Sequence, residues 1–246
     1  MSETVSSPVA PGAPSSVKDA VVDRIATAAT RDVPFPHIFV DGVFPTDFYT
    51  EMLRQIPSRD FYKRISETGR TKGYDERLIL HLNQLDGVPP EQRLFWRDFA
   101  SWFLSSVVAS ALAKKFSTVI AENAGRDART LNYGVEAMLV KDLDGYQIGP
   151  HTDIRNRAVS VMFYLPPDES YVDCGTTLYQ PRVPGFRSDG SRHFGFEGFE
   201  KVETMPCRPN SIFGFARSDM SFHGVEPIRR PGIERDVLLY ILRWKA

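Results

Sequence analysis

From Leu131 to Trp244 the chain breaks into short runs of β-branched, aromatic and aliphatic residues, separated by clusters of Gly, Pro, Asp and Asn. Runs of this length and texture form strands, and a strand buries its apolar side only by joining a sheet. The runs lie at 131–140, 145–151, 157–165, 176–180, 200–206, 210–216, 221–226 and 235–244. Eight short strands without long helices between them predict an antiparallel sandwich or jelly roll.

The first half reads differently. Residues 1–16 are rich in Ser, Pro and Ala and have little to bury, so a disordered leader is expected. Ser16 is placed to cap a helix through Arg31, with Val17, Ala20, Val21, Ile25 and Ala28 at helical spacing. His37–Val40 reads as a strand, and Pro45-Thr46-Asp47 starts a helix through Gln55. A polar stretch around Arg64–Tyr74 precedes Pro89-Pro90, which opens a helical region from Glu91 to about Asn123 that divides into two helices. Phe95, Trp96, Phe99, Trp102, Phe103, Val107 and Val108 form a wide apolar stripe there, the mark of a core-facing surface. The expected organisation is one overall domain: a leader (1–16), a mostly helical part (17–130) packed on the barrel, and the barrel itself (131–246).

Charge excludes some functions. Thirty Lys+Arg against 31 Asp+Glu leave a net charge of -1, so no global positive field holds nucleic acid or an anionic membrane. Two cysteines, Cys174 and Cys207, exclude a disulfide scaffold and form no CxxC or Cys/His zinc spacing; reduced thiols are expected. The longest uncharged stretch, Phe99–Ala113, is too short and too serine-rich to span a bilayer. The first residues show no basic start or apolar run of a secretory signal, so the expected location is cytoplasmic.

Alternation assigns the strand faces. Val159, Val161, Phe163 and Leu165 share one side of their strand, and Ser160, Met162 and Tyr164 share the other, a candidate cavity lining. In 131–140 the residues opposite the apolar face include Asn132, Glu136 and Met138, and an inward carboxylate needs a solvated face or a binding site. Of the five histidines, His151 stands in Gly-Pro-His-Thr-Asp, where His151 and Asp153 can reach one ion from the same side of a strand. By itself His-x-Asp is a weak signal. His223 lies on a later strand that a jelly roll can bring alongside. Two His and one carboxylate leave three octahedral positions open, the arrangement suited to non-haem Fe(II), whereas a structural zinc site is closed by four ligands. Arg235 points with Val237 and Leu239, and a guanidinium inside an apolar barrel requires a carboxylate, supplied by a ligand or by an internal Asp or Glu.

With Phe163-Tyr164-Leu165-Pro166, Gly175-Thr176-Thr177-Leu178-Tyr179 and the run from Pro209 to Pro227, these residues resemble the Fe(II)/2-oxoglutarate-dependent oxygenases, in the branch similar to prolyl 4-hydroxylases, over residues 130–244. The resemblance implies a mainly β fold, a double-stranded β-helix (jelly-roll) core flanked by α-helices. It implies His151, Asp153 and His223 as iron ligands, Arg235 as anchor of the distal carboxylate of 2-oxoglutarate, and Tyr164 as a hydroxyl to that carboxylate. Implied cofactors are Fe(II), 2-oxoglutarate as cosubstrate and O2. The implied reaction is decarboxylation of 2-oxoglutarate to succinate and CO2, coupled to hydroxylation, desaturation or cyclisation of a substrate. Two departures stand out: Val237 replaces a frequent Ser or Thr, and Lys141 and Asp142 stand where a tyrosine is frequent. Asp153 argues against the related halogenases, in which chloride takes the carboxylate's position.

A polar small molecule or a residue of a peptide or protein is the expected substrate class, and the local charge suits an anionic one. Arg182, Arg187, Arg192 and His193 outnumber Asp189 and Glu197 in the long segment from Pro181 to Phe199, whose length suits an active-site lid. That segment with Arg155 or Arg157 is expected to contact substrate, with Glu136 and Asn132 on the cavity floor; a solvated surface loop is the competing reading. His193 is an alternative ligand to His223, while His37 and His81 read as packing histidines. Two other functions use the same triad: a non-catalytic jelly-roll binding module with a structural metal, and a zinc hydrolase with Glu136 as general base.

Overall fold

The computed structural model describes residues 16–70 and 73–244; the expected leader, apart from Ser16, lies outside the described residues. The Ser16 hydroxyl accepts the Asp19 amide proton at 3.2 Å and starts α1, Val17–Thr27. The helix stops short of Arg31 because Arg31 forms a backbone bridge with His37, which opens β1, His37–Asp41. Next come α2 (Thr46–Arg54), β2 (Lys63–Arg64) and β3 (Arg77–His81). The region expected to hold two helices holds three: α3 (Pro90–Phe103), α4 (Ser106–Lys115) and α5 (Ser117–Ala124). The Ser105 hydroxyl accepts from the Val107 amide and restarts the helix as α4, and Phe116, whose φ of -108° is not helical, divides α4 from α5. Among the described residues no helix is long and apolar enough to cross a membrane.

All eight expected strands of the second half form: β4 (Tyr133–Leu143), β5 (Ile148–His151), β6 (Arg157–Tyr164), β7 (Thr176–Pro181), β8 (Phe199–Met205), β9 (Ser211–Ala216), β10 (His223–Val225) and β11 (Glu234–Trp244). They build two antiparallel sheets, one ordered β1-β9-β6-β11-β4-β3-β2 and the other β5-β10-β7-β8. The N-terminal part is therefore more than helical cover, since it supplies β1 at one edge of the large sheet and β2 and β3 at the other. The sequence reading missed β3, where Leu78-Ile79-Leu80 follows a polar stretch.

Each face of the large sheet has its own core. Val159, Val161, Phe163, Leu238, Tyr240 and Leu242 face the helices and pack with Trp96, Phe99 and Phe103. Phe103 lies 5.2 Å from Phe163 and 5.0 Å from Tyr240 between ring centroids; removing such a ring costs about 3–5 kcal/mol. The alternate residues Tyr164, Val237 and Ile241 pack with Leu178, Met205 and Cys207 of the small sheet and its flank. Period-two alternation thus turns Ser160, Met162 and Arg235 into the space between the sheets, where the candidate site lies.

Candidate active site

His151 ends β5 and His223 begins β10, and the two residues stand directly opposite one another in the antiparallel ladder. Their ring centroids are 4.3 Å apart. Asp153, two residues past His151, completes a buried cluster in which donor atoms of His151, Asp153 and His223 all lie within 4.8 Å of one another. Each imidazole is oriented by a carbonyl two residues upstream: Nδ1 of His151 donates to Gly149 O, and Nδ1 of His223 to Ser221 O, each at 3.0 Å. A carbonyl only accepts, so both Nδ1 atoms carry the proton and both Nε2 lone pairs are free for a cation.

Burial and then the neighbouring His223 push His151 well below the ordinary histidine range; burial likewise lowers His223. Burial alone would raise Asp153, but the Arg157 guanidinium and the Ser160 hydroxyl bonded to it hold it well below the usual carboxylate range. Arg157 pairs with Asp153 Oδ1, and the Ser160 hydroxyl donates to Oδ2 at 2.6 Å. The cluster is thus two neutral imidazoles and a carboxylate, the protonation state a divalent cation requires. Three ligands on one side leave the other side open, so the donor set fits Fe(II).

The cluster stands at the junction of two cavities. The outer, about 550 Å³, is lined by His151, Asp153, Arg70, Arg77, Arg157, Arg192, His193 and Arg243 among others. The inner, about 80 Å³, is lined by His151, Asp153, His223, Ser160, Thr176 and Arg235, with Val140, Ile148, Met162, Val225, Val237 and Leu239 as its apolar wall. Arg235 is 1% exposed, and its Nε is buried without a hydrogen-bond partner among the described residues, which suits a ligand anion. The Tyr164 hydroxyl donates to Thr176 Oγ1 at 2.8 Å, so Thr176, which lines the inner cavity, keeps its own proton for a ligand. Thr176 thereby offers the hydroxyl that Val237 lacks, and Tyr164 supports it from behind, with the Arg235 guanidinium 5.4 Å from the Tyr164 ring centroid.

The expected substrate contacts divide. Arg157 and Arg192 line the outer cavity; Asn132, Arg155 and Arg182 are exposed and do not, because Asn132 precedes β4, Arg155 sits in the turn before β6 and Arg182 lies at the far end of the insertion. Glu136 faces inward as alternation predicts, but Arg70 and Arg243 bind it. The segment between β7 and β8 is a fixed wall rather than a free lid. Phe194 N donates to Pro150 O at 2.9 Å and Thr152 Oγ1 to Ser188 O at 3.0 Å. Glycines permit this approach: a Cβ at Gly149 would lie 2.0 Å from Phe194 O, and one at Gly190 2.2 Å from Asp153 O.

Arg217 and Arg77 escaped the sequence reading, and His193 is placed otherwise than as the alternative ligand. Arg217, 4% exposed, donates from Nε to Asp153 O at 3.0 Å and from Nη2 to Ser188 O, fixing the ligand loop to the wall. His193 stands at the rim, 4.4 Å from His151 between centroids and bonded to Tyr74, beside the donor cluster rather than in it. Arg77 reaches both cavities from β3. An apolar Leu78-Ile79-Leu80 run flanked by Arg77 was the one local signal for that strand.

No family model and no curated protein sequence matches the chain. Solved structures do. A Pseudomonas putida prolyl-4-hydroxylase is similar at a TM-score of 0.53 and 19% identity, over 93% of this chain and 100% of that one. A prolyl 4-hydroxylase from Phytophthora capsici is similar at 0.51 and 14%, over 92% of this chain and 65% of that one. The likeness establishes the fold, a double-stranded β-helix.

Proposed function

We propose that the protein is an Fe(II)- and 2-oxoglutarate-dependent oxygenase that converts 2-oxoglutarate to succinate and CO2 while hydroxylating an anionic small molecule. The observation that carries this reading is the convergence of His151, Asp153 and His223 at the neck between two cavities, with the buried Arg235 in the inner one. Bound Fe(II), with 2-oxoglutarate and O2, supplies the oxidising chemistry. His151 and His223 present Nε2 and Asp153 a carboxylate oxygen, each held by its own hydrogen bonds. Arg235 and the Thr176 hydroxyl hold the distal carboxylate, and the apolar inner wall excludes water.

The substrate class rests on charge. Among the described residues six arginines (Arg70, Arg77, Arg157, Arg192, Arg235 and Arg243) line the two cavities, and the carboxylates that line them or pair with those arginines are Glu136, Asp142 and Asp153. A divalent cation and a dianionic cosubstrate cancel, so an excess of positive charge faces the substrate. The zinc-hydrolase alternative loses its base. Burial would raise Glu136, but Arg70 and Arg243 hold it at about 2, too weak a base to activate water.

Anaerobic titration of the protein with Fe(II) and then 2-oxoglutarate tests the reading. A visible charge-transfer band that needs both components, is absent in His151→Ala and requires far more 2-oxoglutarate in Arg235→Ala is the expected result. A folded wild-type protein without the band overturns it. Product mass then separates hydroxylation from desaturation or cyclisation, and Arg192→Glu is expected to raise KM for an acidic substrate.

A further inference from the structure

At the inner cavity two guanidiniums share one carboxylate. Arg77 binds Asp142 through both arms of its fork, Nε to Oδ1 at 2.6 Å and Nη2 to Oδ2 at 2.9 Å. Arg235 binds the same Oδ2 from the neighbouring strand, where it stands directly opposite Asp142. Side-chain exposures are 0% for Asp142, 1% for Arg235 and 18% for Arg77. The Arg77 guanidinium also lies 4.2 Å from the Tyr146 ring centroid, and the Tyr146 hydroxyl is buried without a hydrogen-bond partner among the described residues.

Two cations and one anion sum to a single positive charge, at a cavity whose other walls divide between apolar side chains and polar groups, among which Asp153 and Arg157 pair and cancel. There an uncompensated charge is costly and a matching anion strongly held. Without Arg77, Arg235 and Asp142 would cancel, and a ligand carboxylate would meet a neutral pair. We infer that Arg77 is a specificity-determining residue: by neutralising Asp142 it leaves the Arg235 charge available, and so makes the inner cavity select a 2-oxo acid with a second, distal carboxylate. This rests on the oxygenase reading and adds a residue from β3, a strand the N-terminal half contributes to the large sheet, which acts through charge rather than through a required contact.

Calorimetric titration of the anaerobic Fe(II)-loaded protein with 2-oxoglutarate and with 2-oxopentanoate, which has the same chain length but no distal carboxylate, reads the selection directly. The wild type is expected to prefer 2-oxoglutarate by about tenfold or more, and Arg77→Gln to lose most of that preference while binding 2-oxopentanoate within about twofold of wild type. Arg77→Lys keeps the charge without the fork and is expected to keep the preference. Arg77→Gln/Asp142→Asn returns the net charge to one and is expected to recover it to within about threefold of wild type. Retained 2-oxopentanoate binding is the check on folding; should the double variant not fold, Arg77→Lys against Arg77→Gln decides. Preference intact in Arg77→Gln, or lost equally in Arg77→Lys, overturns the inference alone. A folded wild type that binds neither acid overturns the oxygenase reading and this inference with it.

Discussion

The strand β4 carries the same constellation twice. Near its end Asp142 joins Arg77 and Arg235; six residues earlier, on the same face, Glu136 joins Arg70 and Arg243. In each, the carboxylate belongs to β4, one arginine to β11 and the other to the segment that leads into or begins β3. What differs is water. Asp142 and Arg235 are sealed at 0% and 1% and only Arg77 reaches water, at 18%, whereas Glu136, Arg70 and Arg243 all keep side-chain exposures of 23%, 23% and 24%. One donor set can thus serve as a charge-setting device in a dry cavity and as a screened brace at its mouth. The dielectric around the residues decides which.

The largest expected difference lies in truncation. Asp142→Ala strands a buried Arg235 and is expected to cost about 3–5 kcal/mol, whereas Glu136→Ala frees two arginines that still reach solvent and costs about 1–2 kcal/mol. Urea midpoints measure both, and equal losses would break the comparison.

Acid separates Glu136 from a carboxylate on the opposite face of the same strand pair. Glu136 is held at about 2 against an ordinary value of 4.5, so its contribution is complete above that value and is lost as pH falls toward 2. Behind the Asp142 group, Asp236 bonds Lys141 at 2.8 Å, yet burial raises its carboxyl to about 6 from 3.8. The folded state then holds a proton the unfolded state has released. That contribution is complete below 3.8 and is lost as pH rises through 6. Stability measured from pH 3 to pH 7 should therefore lose opposite pH slopes in Glu136→Gln and Asp236→Asn; slopes of one sign would refute the assignment.

Salt gives the smallest effect. Raising NaCl from about 50 mM to about 500 mM should shrink the Glu136–Arg243 coupling by less than ~1 kcal/mol and leave the Asp142–Arg235 coupling unchanged in double-mutant cycles.

Much of the fold was legible because strand periodicity is local. All eight second-half strands could be placed from runs and punctuation, and the inward direction of Ser160, Arg235 and Glu136 followed from alternation alone. The helical stripe around Phe99 and Phe103 was equally plain, although Ser105 and Phe116 divided it once more than expected. The strand β3 was not legible, since its five residues follow a polar stretch and become a strand only by pairing with β4. Arg155 and Arg182 were placed near the cavity by charge and proximity in sequence, and neither quantity carries direction through a turn; Asn132 was placed there by alternation, in a strand that begins only at Tyr133.

The order of residues along the chain determined the strands, the faces, and the His-x-Asp pair with its distant histidine, because each depends on spacing of two to four residues or on residue type. Only the tertiary structure decided which charges meet. Arg77 and Asp142 are 65 residues apart, and Asp142 and Arg235 are 93. Nothing local distinguishes Asp142 from Glu136, two inward carboxylates on one strand. Their difference arises from how far water reaches between the sheets, which exists only once the sheets have closed.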